Sequence, residues 1–190
     1  MTSGPGADQH ERPDLTGADA GTVLAGLYDA HARPLHRYLS RRLDTETADD
    51  LVAETFLAAW TGRAHYDPAR GTARAWLYGI ATNLLRRHAR REVRGLRALA
   101  RDGGRACIAD PLDAVAVDRA DAEGRLRAAA RTLAALRREE RDVLLLVAWA
   151  DLTPAEAAEA LDIHPRTART RLHRARTTLR RKLRTQETDR

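Results

Sequence analysis

Cysteine occurs once in the 190 residues, at Cys107. No intrachain disulfide can form, so a disulfide-stapled scaffold is excluded. A single thiol in a glycine-bearing stretch reads as an inert linker residue rather than as a sensor. Lysine also occurs once, at Lys182, so nearly all the positive charge is arginine. Aromatic residues are scarce, and all but Trp149 lie in the first half, which places a compact core there. No apolar run reaches the ~20 residues that cross a bilayer. The N-terminus is acidic and glycine-rich and lacks the basic-then-apolar order of a secretory signal. A soluble cytoplasmic protein without membrane insertion is expected. Also missing are a phosphate loop, a nucleophile paired with a base, and His, Cys or carboxylate groups at metal-ligand spacing. These absences argue against an enzyme and against a metal or other cofactor.

What is present in excess is positive charge, a formal +6, placed unevenly. Residues 86–105 form one basic cluster, opposed only by Glu92 and Asp102. A second contains Arg166, Arg169, Arg171, Arg174, Arg176, Arg180, Arg181, Lys182 and Arg184, with no acidic residue between His164 and Gln186. Surface helices usually mix charges for i,i+4 support, and a helix this one-sided repels itself unless a polyanion lies against it. Two such clusters point to a nucleic acid partner.

The second cluster sits in a recognisable frame. Thr153, Pro154 and Glu156 supply an N-cap, a first-turn proline and the reciprocal partner of a capping box. Ala157, Ala158 and Leu161 give this short helix an apolar face, and the chain is expected to turn at Leu161-Asp162-Ile163. Pro165 then opens a second helix in which Ala168, Leu172, Ala175, Leu179 and Leu183 form one buried stripe. Two helices joined by a tight turn are the helix-turn-helix pattern, whose second helix enters a DNA major groove. With the stripe turned inward, Arg166, Arg169, Thr170 and His173 fall on the opposite side, near the helix N-terminus.

The rest of the chain reads as helical. Residues 1–20 hold little that can be buried and are expected to be disordered. From Gly21, helical spacing runs through Leu24, Leu27, Tyr28, His31 and Leu35 to Leu43, with Pro34 expected to kink or split the helix. His31 reads as a partly buried helix residue, not a ligand. Residues 45–60 should form a helix capped by Thr45 or Thr47, with Ala48, Val52, Phe56 and Ala59 inward. On periodicity alone, Asp50 and Glu54 form a solvated acidic face. Residues 61–71 are a loop containing Arg63, His65, Tyr66 and Arg70. Thr72 caps the next helix, which turns Trp76, Leu77, Ile80, Ala81 and Leu84 inward and carries Asn83, Arg86, Arg87, Arg90 and Arg91 elsewhere. An aromatic-containing loop beside an amide and arginines suits unstacked bases and their backbone. Trp60 and Trp76 themselves read as core.

Periodicity fades after Glu92, and Gly95, Gly103 and Gly104 mark a linker with a basic helical extension at its start. A short helix is expected over 112–120. A stripe of Leu126, Ala130, Leu133 and Leu136 follows, then a fully buried helix over 143–149. The expected fold is all-α: a disordered N-terminus (1–20), a helical domain (21–93), a flexible linker (94–124) and a second helical domain (125–186) carrying the helix-turn-helix.

Together these motifs resemble the extracytoplasmic-function (ECF) sigma factors of the sigma-70 class. ADDLVAETFLAAW and YDPARGTARAWLYGIATNLLRRHARR are similar to regions two-point-two to two-point-four of that family. LRREERDVLLLVAWADLTPAEAAEALDIHPRTARTRLHRARTTLRRKL is similar to region four. The resemblance implies a promoter-specificity subunit of bacterial RNA polymerase that recognises a minus-thirty-five element and melts a minus-ten element. It implies docking of Asp49, Asp50, Leu51 and Glu54 on the β′ clamp helices, with the β flap as a further polymerase contact. It implies minus-ten contacts by Tyr66, Arg70, Asn83, Arg86 and Arg87, and minus-thirty-five contacts by Arg166, Arg169, Thr170, His173 and Arg174. Promoter DNA and an anti-sigma factor are the other partners it allows.

Three positions depart from the family pattern: Asp162 stands where glycine is frequent, His164 where a serine-type cap is frequent, and Arg137 where proline is common. The alternative is a stand-alone helix-turn-helix regulator, which would bind its operator without polymerase. A nucleic-acid-processing enzyme using His and carboxylates is a third reading; the scattered histidines argue against it, and a nuclease assay would separate it.

Overall fold

The computed structural model describes residues 11–101 and 132–188. Six α-helices lie within them: α1 (Ala20–Ser40), α2 (Thr45–Thr61), α3 (Ala73–Arg101), α4 (Arg138–Trp149), α5 (Pro154–Ala160) and α6 (Pro165–Thr188). A 3-10 turn, Arg63–His65, follows α2, and no strand occurs among the described residues. The expected linker glycines 103 and 104, the helix over 112–120 and the stripe positions 126 and 130 lie outside them. Helix α3 continues to Arg101, beyond the expected linker start at 94.

Local chemistry fixes the helix starts. The N-cap of α2 is Asp44 rather than either threonine: its carboxylate accepts the Thr47 N–H at 2.9 Å and the Thr47 hydroxyl at 2.8 Å. A carboxylate is the stronger acceptor, and at a helix N-terminus its charge is favourable. Thr72 caps α3 as expected, its hydroxyl accepting the Ala75 N–H at 3.1 Å. Helix α1 is not split, running from Ala20 to Ser40 with Pro34 inside it.

Helices α1, α2 and α3 enclose a core that includes Leu35, Leu39, Val52, Phe56, Leu77 and Ala81. Tyr38 and Tyr78 meet edge to face within it, centroids 5.4 Å apart. Within residues 11–19, expected to be disordered, Leu15 is buried in this core and Arg12 donates to the Pro68 carbonyl at 2.6 Å. One apolar side chain with a matching hollow suffices to seat a segment whose composition is otherwise polar.

The second half has its own core, built from Leu136, Val143, Leu144, Ala158, Ala168 and Leu172. The other face of α4 joins the first core, to which Leu145, Leu146, Leu152 and Ala157 belong. The apolar run of α4 thus serves two cores. It is not buried all round, since Val147 and Trp149 are half-buried and Ala148 is exposed. At Gly79, where α3 meets the end of α5, a Cβ would collide with the Ala160 carbonyl oxygen, so only glycine permits this approach.

Leu146→Ala should therefore destabilise the chain by about 2–5 kcal/mol through the cavity it leaves. Leu57→Ala, at a 65% exposed position, should stay within about 0.5 kcal/mol. Urea unfolding followed by circular dichroism measures both.

Candidate nucleic-acid interface

The helix-turn-helix is assembled from short-range bonds. The capping box of α5 is complete: the Thr153 hydroxyl accepts the Glu156 N–H at 3.2 Å, and the Thr153 N–H donates to the Glu156 carboxylate at 2.7 Å. Helix α5 ends in a Schellman motif, with Ile163 N–H donating to the Ala158 carbonyl and Asp162 N–H to the Glu159 carbonyl. Asp162 holds the left-handed position of that motif, φ 50°, which aspartate adopts at a cost glycine would not incur. His164 takes the place of a serine cap: its Nδ1 accepts the Arg166 N–H at 3.1 Å.

On α6 the rotation is as expected. Ala168, Leu172 and Ala175 are buried, and Leu179 is partly buried. Arg166, Arg169, Thr170, His173 and Arg174 are all exposed. The Thr170 hydroxyl donates to the Arg166 carbonyl at 2.9 Å. The result is an uncovered cationic face at the N-terminal half of a helix.

The loop and α3 make a second face. Arg70 and Asn83 are exposed, as is Arg87. Arg70 pairs with Asp162 at 2.8 Å, and the Asn83 Oδ1 accepts from Arg86 at 3.3 Å. Arg86 is partly buried and donates twice to Asp142 Oδ2, at 3.0 and 2.7 Å. Tyr66 departs from its expected role. It is buried, its ring packs against Trp76 at 4.9 Å, and its hydroxyl donates to the Gly71 carbonyl at 3.1 Å. In this arrangement it shapes the loop from within and offers no open ring face to a base.

The acidic surface lies on α2. Asp49, Asp50 and Glu54 are exposed, with Asp49 3.3 Å from His36 Nε2. Leu51 is corrected: it is 4% exposed and belongs to the core, because it shares the inward face with Val52 and Thr55. Trp60 is corrected in the other direction. It is 40% exposed, with the Arg63 guanidinium 4.1 Å over its ring. Leu57 and Trp60 thus extend the acidic face into an apolar one, one helical turn further along α2.

Three functional candidates escaped sequence reasoning: Arg42, Arg74 and Asp142. Arg42 lies 3.7 Å from Asp142 Oδ1. Arg74 donates to the Ala150 carbonyl at 2.6 Å and to the Asp151 carbonyl at 3.3 Å, a cation at the C-terminal end of α4. The signal available for Asp142 was its place on the stripe that continues through Leu145, Leu146 and Trp149, where a carboxylate needs a partner. Among the described residues no cluster of three His, Cys, Asp or Glu could hold a metal ion, and no helix is long and apolar enough to cross a membrane.

Comparison with known proteins follows the same division. Residues 27–95 match the Sigma-70 region 2 family and residues 126–179 match Sigma-70 region 4. The ECF RNA polymerase sigma factor SigL of Mycobacterium tuberculosis (strain H37Rv) is 38% identical over 74 residues, which is 37% of this chain and 42% of SigL. The match therefore spans less than half the length of SigL. SigK of Mycobacterium bovis (strain BCG) is 29% identical over 159 residues, 83% of this chain and 84% of SigK. Among solved structures, CnrH in complex with the cytosolic domain of CnrY is 27% identical, with TM-score 0.57, covering 87% of this chain and 90% of that one. The sigma factor RpoE in complex with the anti-sigma factor NepR from Bartonella quintana shares the fold at TM-score 0.58 and 19% identity, covering 84% of this chain and 96% of that one.

Burial pushes the Tyr66 and Tyr78 phenols up to about 12. A phenol with a folded-state value above its unfolded value near 10 favours the fold below pH ~10, and this contribution is lost as pH rises through the folded value. Absorbance titration should show Tyr66 and Tyr78 ionising only near pH 12, together with loss of helical signal. Ionisation of these two near pH 10 with helicity intact would contradict the burial.

Proposed function

The chain belongs to the extracytoplasmic-function group of the sigma-70 family, and from that membership we propose that it is a promoter-specificity subunit of bacterial RNA polymerase. It performs no catalysis itself. It lends sequence recognition to core polymerase in the cytoplasm, where transcription takes place. The observation that carries this reading is the face of α6: five side chains suited to phosphates and base edges, all uncovered, on a helix held in place by Ala168, Leu172 and Ala175. Arg166, Arg169, Thr170, His173 and Arg174 read the minus-thirty-five duplex from the major groove. Arg70, Asn83, Arg86 and Arg87 hold the minus-ten strand once it is unpaired, with Tyr66 supporting the loop.

Core polymerase docks through the exposed side of α2. Asp49, Asp50 and Glu54 meet a basic partner surface on the β′ clamp helices, and Leu57 and Trp60 supply the apolar part. Leu51 acts from beneath by fixing the helix. Region four faces the β flap. The RpoE relative bound to an anti-sigma factor supports an anti-sigma factor as a further partner.

In vitro transcription with core polymerase, followed by start-site mapping, tests the proposal. Discrete starts that depend on both proteins are expected, and the absence of any start would refute it. Within that assay, Arg169→Ala should relax preference at one or two positions of the upstream element, by about 1–3 kcal/mol of lost discrimination. Arg180→Ala, further along the helix, should weaken all sequences evenly and lower the salt slope by about one unit. Even weakening by Arg169→Ala would make Arg169 a phosphate contact. Reversing Asp50 and Glu54 to arginine should weaken core binding by several kcal/mol, on the order of like-charge repulsion across an interface, with helicity unchanged. An unaltered core affinity would return these residues to an ordinary solvated face.

A further inference from the structure

The loop between α2 and α3 carries Arg70, and bonds on two sides shape it. On its inner side, Tyr66 packs against Trp76, and the Tyr66 hydroxyl donates to the Gly71 carbonyl at 3.1 Å. At its tip, Asp67, Pro68, Ala69 and Arg70 form a turn. The Arg70 N–H donates to the Asp67 carbonyl at 3.0 Å, and the Asp67 carboxylate accepts the Ala69 N–H at 2.9 Å. Aspartate first and proline second are favoured in such a turn. These bonds fix the shape of the turn but not its direction. A tie from outside the loop comes from Arg12, 56 residues earlier, whose Nη1 donates to the Pro68 carbonyl at 2.6 Å.

Arg12 reaches the loop from a fixed point. Leu15 is 2% exposed and belongs to the core of the first three helices. Between the two, the Asp14 carboxylate accepts the Thr16 N–H and the Thr16 hydroxyl, each at 2.7 Å, which sets the course of the chain into α1. Leu15 is thus a peg and Arg12 a clamp. A guanidinium on a carbonyl oxygen is a charge-assisted bond, stronger than a neutral one. An arginine present only for solubility would point to water instead.

We propose that residues 12–16 are a strap that aims the minus-ten loop, with Arg12 a positioning residue that acts through Arg70 on the unpaired promoter strand. The inference rests on the assignment of Arg70 to that strand. Arg12 touches no DNA in this role. It holds the Pro68 carbonyl, and with it the turn whose last residue is Arg70. A loop ordered before the strand arrives binds it more tightly, because ordering on binding is subtracted from the affinity. Arg12 also stands 4.0 Å from Glu159, a longer contact that the test separates.

The first readout is nitrogen-15 relaxation of the full chain. The amides of Ala69 and Arg70 should have order parameters near the rigid value of about 0.85, falling toward about 0.6 in Arg12→Ala. Leu15→Ala, which removes the peg and keeps the clamp, should loosen the same amides. Arg12→Lys, which keeps a charged donor, should restore part of the order. Circular dichroism confirms that each variant is folded; if Leu15→Ala is not, Arg12→Ala decides.

The second readout is promoter opening by holoenzyme, at a promoter taken from the start-site mapping and carrying 2-aminopurine in its minus-ten element. Arg12→Ala should slow opening by up to about tenfold, the size of one hydrogen bond, with upstream duplex binding unchanged. The double variant with Arg70→Ala should be no slower than Arg70→Ala alone. Glu159→Gln removes the charge near Arg12 but keeps an oxygen for the Thr72 N–H, and it should leave opening as it is. Unchanged order parameters in folded Arg12→Ala overturn the strap. Additive losses in the double variant, or an equal loss in Glu159→Gln, overturn the action through Arg70. Opening unaffected by Arg70→Ala places the fault in the assignment of Arg70 and removes the strap's role in capture, whatever the order of the loop.

Discussion

Helix α4 has to bury two faces at once, and the arrangement of the molecule follows from that constraint. Val143 and Leu144 close the core of the helix-turn-helix, while Leu145 and Leu146 complete the core of the first three helices. A twelve-residue helix with apolar residues on both of these faces has no stable orientation on a surface. It is therefore sandwiched, and its neighbours are brought within reach of α3. The glycine at position 79, the Arg74 cap on the α4 terminus and the ion pairs of the boundary are consequences of that close approach.

Charge is distributed so that the boundary and the exposed face of α6 use opposite logic. The second half presents Asp142, Glu156, Glu159 and Asp162 to the first, which answers with Arg42, Arg86, Arg74, Arg12 and Arg70. Its recognition helix carries no acid at all between His164 and Gln186. These four acidic side chains of the second half thus gather where they meet arginines of the same chain, whereas the exposed arginines of α6 stand on a face free of acidic residues. The protein's excess of arginine suits both uses, since the guanidinium binds carboxylate and phosphate in the same planar geometry.

The local parts of this structure were legible in the sequence, and the long-range parts were not. The capping box at Thr153 and Glu156, the Thr72 cap and the buried stripe of α6 each depend on residues within a few positions of one another, and spacing alone determined them. Periodicity tells which residues are buried but not against what. Hence the run 143–149 reads as one buried helix of a separate domain, when its two faces belong to two cores. The same limit explains Leu51, expected as a contact and found in the core, and Trp60, expected in the core and found exposed beneath Arg63. Tyr66, expected to face a base, and Leu15, in a segment expected to be disordered, are both buried, which the polar composition around each does not signal.

If one chain reads two promoter elements, and does so only as part of polymerase, hydroxyl-radical footprinting of a promoter shows it directly. The comparison needs the chain alone, core polymerase alone and both together. Protection at two separated elements, an upstream duplex and a downstream melted segment, is expected when both proteins are present. A single compact footprint given equally well by the chain without polymerase would contradict it.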